Sequence, residues 1–243
     1  MVREVTLEFD KGNSGFTLRH QANERARDIG QDILKQLQGS KAPRTTEAPI
    51  TLRGVRAPDL RTGFFVNLME GLPGYKTTNV TSVGVVRAAP EVSPDEETDE
   101  NSNESEEARE MLSVVRKAVF DGDKLLNSKP YLELEQQGFF ISRAVWRCRD
   151  TRMSDPPEVE LESDFEDAQN CDGFRYDVRG VYEQRSRGES GLKKTRAAAS
   201  ADVRVTLIRA LEASAREALR VALNAAATEA ADGPDGEVSG DEP

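Results

Sequence analysis

The chain has 243 residues, 37% hydrophobic and 32% charged, with two cysteines and one histidine. That length suits one large domain or two small ones, and no run approaches the roughly 18–20 apolar residues that span a bilayer. Two cysteines, Cys148 and Cys171, build no disulfide framework, and a lone histidine, His20, excludes a multi-histidine metal site.

The formal charge of −11 is unevenly placed. Residues 91–110 hold ten acidic residues and one arginine, and residues 229–243 hold six acidic residues with no lysine or arginine. The remainder carries a net +4, so the body is slightly basic and the acidity is confined to two polar segments.

The N-terminal stretch from Met1 to Asp10 reads as a strand and lacks the apolar run of a signal peptide, so a cytoplasmic protein is expected. Val5, Leu7 and Phe9 alternate with polar residues, turn chemistry follows over residues 10–15, and Phe16 and Leu18 begin a return strand. A helix is expected over about 21–38, with Ala22, Ala26, Ile29, Ile33 and Leu37 on one face and Gly39 at its end.

Residues 50–55 read as a strand, 60–72 as a short helix and 80–86 as a strand. After the acidic segment the order recurs: strand over 112–120, helix over 125–137, strand over 139–149. At an offset of 64 residues the segment Leu68–Tyr75 lies over Leu132–Phe139, each an apolar helix end running through Gly-aromatic into a strand. This predicts a degenerate internal repeat of two β-α-β units, with Leu68 and Leu132 in equivalent core positions.

The second unit is extended. Val159, Leu161 and Phe165 alternate with acidic residues, Asn170-Cys-Asp-Gly173 is a turn, and Phe174, Tyr176, Val178 and Tyr182 alternate with Arg175, Asp177 and Arg179. With the 139–149 strand this predicts a three-stranded antiparallel meander with one face in water. A final helix is expected over about 201–228, with Ser200 as N-cap and Val203, Leu207, Leu211, Ala215, Ala218 and Ala222 on one face. That helix either covers a sheet or projects to form an oligomer.

The fold class expected is therefore α+β. Its organisation is an N-terminal α+β unit over 1–90, an acidic disordered linker over 91–110, a second α+β unit with the meander over 111–199, the helix over 200–228 and an acidic tail over 229–243.

No Gly-rich phosphate loop, GxSxG, HExxH or paired CxxC is present, and neither a cofactor nor a metal is expected. The acidic run Glu158, Glu160, Glu162, Asp164, Glu166 and Asp167 has the two-residue spacing that puts carboxylates on one face, where they can hold a cation. Arg175 and Arg179 on the next strand make a solvated charge ladder the better reading. The cysteines read as separate reduced thiols, His20 as structural, and Trp146 and Phe140 as core rather than a base-stacking platform. Asn79-Val-Thr81 matches a glycosylation acceptor without a secretory context.

The best candidate surface is basic. Arg175, Arg179, Arg185, Arg187, Lys193, Lys194 and Arg196 outnumber Asp177, Glu183 and Glu189 by four charges. Such a cluster docks an acidic protein partner or lies along phosphates. The leading expectation is a non-catalytic interaction or adaptor subunit of an intracellular assembly. Nucleic-acid binding through residues 175–196 is the alternative, and no membrane association is expected.

Overall fold

A computed structural model describes residues 7–11, 16–20, 24–39, 48–88, 117–122, 125–182 and 196–231. The expected acidic linker and most of the expected tail lie outside these residues, as do Arg185, Arg187, Lys193 and Lys194. The chain divides into two compact units, residues 1–49 and residues 50–243.

In the first unit, β1 (Leu7–Lys11) and β2 (Phe16–His20) form the expected hairpin, with Phe9 opposite Leu18. Helix α1 (Glu24–Gly39) follows, with Ala26 and Gly30 buried. The alternation of two in the strands and the three- to four-residue spacing in the helix account for both elements.

The second unit is built on a six-stranded antiparallel sheet in the order β4-β3-β5-β6-β7-β8. Its strands are β3 (Tyr75–Arg87), β4 (Lys117–Asp121), β5 (Phe139–Asp150), β6 (Glu158–Asp167), β7 (Asp172–Tyr182) and the two-residue β8 (Arg196–Ala197). Register places Val80, Trp146, Leu161 and Val178 in one row across four strands, and Val83, Ala144, Ser163 and Tyr176 in the next. These rows are the buried face that the alternation in each strand demands. The expected meander is present as β5-β6-β7.

Helices cover that face. Helix α2 (Pro58–Glu70) starts with Pro58 in its first turn and Asp59 near the positive end of its dipole. It stops at Gly71, whose N–H donates to the Asn67 carbonyl, just before Leu72-Pro73. Phe64, Phe65 and Leu68 are fully buried, each stabilising the fold by about 1.5–3 kcal/mol. Phe64 and Phe65 pack on Phe165 with ring centroids 5.6 and 5.8 Å away. The long helix α4 (Ala201–Ala231) packs on α2 and β7, burying Leu207, Leu211, Ala215, Ala218 and Ala222. Glycine suits the end of α2 beside α4, since a Cβ at Gly71 would sit 2.7 Å from the Asn67 carbonyl oxygen and 3.2 Å from Ser214 Oγ. The Ser214 hydroxyl donates to the Leu68 carbonyl at 2.8 Å, and the Tyr176 hydroxyl donates to Glu212, tying α4 to both α2 and the sheet. The helix thus covers the sheet. Among the described residues no helix is long and apolar enough to cross a membrane.

The chain is α+β as expected, but the repeat is not found. Residues 50–55 form no strand. Leu52 and Val55 are fully buried, yet they are three residues apart in a turn, where the Val55 N–H donates to the Leu52 carbonyl and the Leu52 N–H donates to the Cys171 carbonyl. The expected helix over 125–137 is broken by Pro130 into a 3-10 turn (Leu125–Asn127) and α3 (Lys129–Gln136). On α3, Tyr131 enters the core beside Thr62, whereas Leu132 is 42% exposed, so Leu68 and Leu132 are not equivalent. The strands also do not form two units. β3 is hydrogen-bonded between β4 and β5, so chain from both sides of the acidic segment shares one sheet.

Candidate functional site

The face of the sheet opposite the helices carries the charge. On β6, Glu158, Glu160, Glu162 and Asp164 point there together, because residues two apart share a face. β5 sets Arg149, Arg147 and Arg143 opposite Glu158, Glu160 and Asp164, and β7 sets Arg175 opposite Asp164. The side chains then pair along and across this ladder. Arg143 meets Glu162 at 2.6 Å, Arg149 meets Glu158 at 2.9 Å, and Arg175 meets Asp164 at 2.6 Å. The Asp164 carboxylate raises the Arg175 pKa.

Glu160 is the hub. One oxygen accepts from Arg147 Nε at 3.3 Å and from the Tyr182 hydroxyl at 3.0 Å. The other faces Arg196 at 3.5 Å and Arg179 at 4.0 Å. Arg179 is where the β6–β7 register shifts: Glu160 pairs with Gly180 and Leu161 with Val178. The extra residue lets its guanidinium reach Glu162 as well, at 3.5 Å. Gly180 makes room for β8, since a Cβ there would come within 2.7 Å of the Ala197 carbonyl oxygen and collide with Arg196. The Arg147 guanidinium also stacks over the Tyr182 ring, 4.2 Å from its centroid.

The ladder is layered. Side-chain exposure is 7–24% for Glu158, Glu160, Glu162 and Asp164, and 29–47% for Arg143, Arg147, Arg149, Arg175, Arg179 and Arg196. Solvent therefore meets guanidinium groups, with the carboxylates beneath them. Around Glu160, five arginines (143, 147, 149, 179 and 196) stand against three glutamates, while Arg175 balances Asp164 and Arg204 balances Asp177. Among these described side chains the arginines around Glu160 exceed the glutamates by two, while Glu166 adds a negative charge beside Arg175.

Comparison with family models, with curated proteins and with solved structures gave no match. The functional reading rests on this geometry.

Of the seven basic residues singled out in the sequence, the described three, Arg175, Arg179 and Arg196, all lie on this face and all pair with carboxylates. Of the six acidic residues, Glu158, Glu160, Glu162 and Asp164 form the charge ladder, while Asp167 accepts from Asn170; among the described residues no group of three or more His, Cys, Asp or Glu side chains is arranged to hold a metal ion. What the sequence reading missed is the contribution of β5. In the sequence Arg143, Arg147 and Arg149 stand only as part of the strand expected over 139–149. The signal was their alternation with Ala144, Trp146 and Cys148, which marks them as the polar side of a strand bordering an acidic one. Tyr182, read as apolar, lies across the charged face instead.

Trp146 and Phe140 are fully buried, and Phe140 lies under the Arg61 guanidinium at 4.6 Å. Arg61 itself is buried, donating to the Val55 and Gln169 carbonyls at 2.6 and 2.9 Å. Both cysteines are buried and free, and burial pushes each thiol up to about 12. A shallow cleft of 330 Å³ between α2 and α4 is lined by Asn67, Glu70, Gly71, Ser214, Glu217, Ala218 and Val221. Its one hydroxyl, on Ser214, is engaged by the Leu68 carbonyl.

Proposed function

We propose that this chain is a non-catalytic interaction protein, an adaptor or subunit of a cytoplasmic assembly, that docks an acidic protein surface on the arginine-topped face of its sheet. The observation that carries this reading is the layering: carboxylates lie beneath and hold the guanidinium groups in place, so a partner meets a pre-ordered array of donors. Ordering long side chains before contact lowers the entropic cost of docking, and planar guanidinium groups suit carboxylates on a facing surface. A broad face of this kind supports surface docking rather than turnover of a small molecule, which favours an enclosed concave site.

Nucleic-acid binding is the second reading, because phosphates also pair with guanidinium groups. The excess of two charges around Glu160 favours it less, since phosphate affinity grows with the number of counterions released. The test uses the full chain, tagged in its native cell, beside a variant carrying Arg147→Glu, Arg179→Glu and Arg196→Glu. The expected result is a co-purifying protein that the triple variant releases, with weak binding of mixed-sequence DNA and RNA at physiological salt. Micromolar or tighter nucleic-acid binding that the same variant abolishes would replace the first reading with the second.

A further inference from the structure

The far edge of the sheet carries a separate inference, independent of the arginine face. β4 is an edge strand with the sequence Lys117-Ala-Val-Phe-Asp121. Lys117, Val119 and Asp121 are exposed, while Ala118 and Phe120 are half-buried against the core. Val119 is 53% exposed, an apolar side chain between two opposite charges.

The backbone of this strand points outward at the same three residues. The Gly122 N–H donates to the Thr81 carbonyl at 3.1 Å, and the register continues with Asp121 opposite Ser82 and Phe120 opposite Val83. In an antiparallel ladder hydrogen-bonded pairs alternate with non-bonded ones. Phe120 and Ala118 therefore exchange bonds with β3, and Lys117, Val119 and Asp121 turn their N–H and C=O groups to the edge where no other described strand pairs.

We propose that β4 pairs antiparallel with β4 of a second copy of this chain, about a two-fold axis at Val119. In that register Val119 meets Val119 of the second copy, and Lys117 meets Asp121 of the second copy at both ends. The three outward-facing residues of each strand form hydrogen-bonded pairs, and the two sheets become one. Charges on an edge strand ordinarily discourage such pairing. Here the order of the charges selects one arrangement: a parallel copy in register would set lysine against lysine and aspartate against aspartate, while an antiparallel copy sets unlike charges opposite one another. The segment is complementary to itself.

The test is sedimentation of the full chain from about 1 to about 100 μM, a range that spans weak self-association. The wild type is expected to dimerise. Lys117→Glu and Asp121→Lys each set like charges opposite one another and should weaken the dimer about tenfold or more. The double variant restores unlike pairs and should dimerise as the wild type does. Mixing the two single variants should give a heterodimer, because each supplies the charge the other needs. Unchanged circular dichroism in every variant confirms that β4 itself is intact, while loss of the dimer lowers the melting temperature only at concentrations where the wild type is dimeric. A wild type that stays monomeric throughout, or a dimer indifferent to both single variants, or a double variant that fails to recover, would each overturn the proposal.

Discussion

Glu160 lies deeper than the other carboxylates of β6, and three arginines converge on it. Replacing it by glutamine keeps the shape and removes the charge that holds Arg147, Arg179 and Arg196 together. Breaking a buried pair from one side costs about 3–5 kcal/mol. The arginines reach solvent, which lowers the cost, so Glu160→Gln should destabilise the chain by about 2–3 kcal/mol in urea unfolding. A loss under about 0.5 kcal/mol would mean that the hub orders the surface without stabilising the fold. The cysteines give a second test at this scale. Burial favours the neutral thiol, so the folded-state pKa of about 12 for Cys148 and Cys171 stands above the unfolded value of about 8.5. The stability this contributes is complete below the unfolded pKa and is lost as pH rises towards about 12. At pH 8 a thiol reagent should label neither cysteine in the native protein and both after denaturation. Rapid native labelling of either would show that its site opens easily.

At the scale of elements, the expected repeat makes α2 and α3 equivalent, yet their leucines behave oppositely. Leu68 is fully buried and Leu132 is 42% exposed. Leu68→Ala should cost about 2–5 kcal/mol, whereas Leu132→Ala should stay within about 0.5 kcal/mol; equal losses from denaturant curves would revive the repeat. The contrast shows where the sequence was legible. Strands β5, β6 and β7 are legible because each alternates apolar and charged residues over most of its length. Helix α4 was readable because its leucines and alanines return at three- and four-residue spacing. Residues 50–55 misled because Leu52 and Val55 seek the core from a turn, and burial alone does not distinguish a turn from a strand. Pro130 carried a legible stop signal that the apolar spacing on both sides of it outweighed. The charged face was half legible: the acidic run and Arg175 were recognised as a ladder, but pairing β5 beside β6 is a long-range fact that local alternation does not supply.

For the whole molecule, the main core runs from Leu52 to Ala222, and every strand of the large sheet lies between Tyr75 and Ala197. Residues 1–49 and residues 50–243 each form a compact unit, and the large sheet lies wholly within the second. A fragment of residues 50–243 should therefore fold alone, with a cooperative urea transition whose midpoint lies close to that of the full chain. Cutting within the acidic segment should have the opposite effect. A piece of residues 1–110 would hold β3 without β4 on one side or β5 on the other, leaving Val83, Val85 and Phe65 without their sheet partners. A piece of residues 111–243 would hold β5 without β3, and α4 without the Leu68 carbonyl that Ser214 engages. Neither piece should form its part of the large sheet alone, so neither should show the cooperative transition of that unit. Mixing them should restore it if the long connection serves only to raise the local concentration of the two halves, because closing a loop costs little more as it lengthens. Independent folding of the 1–110 piece would show that β3 finds its stability within the N-terminal half, and the sheet order β4-β3-β5 would then have to be secondary to it.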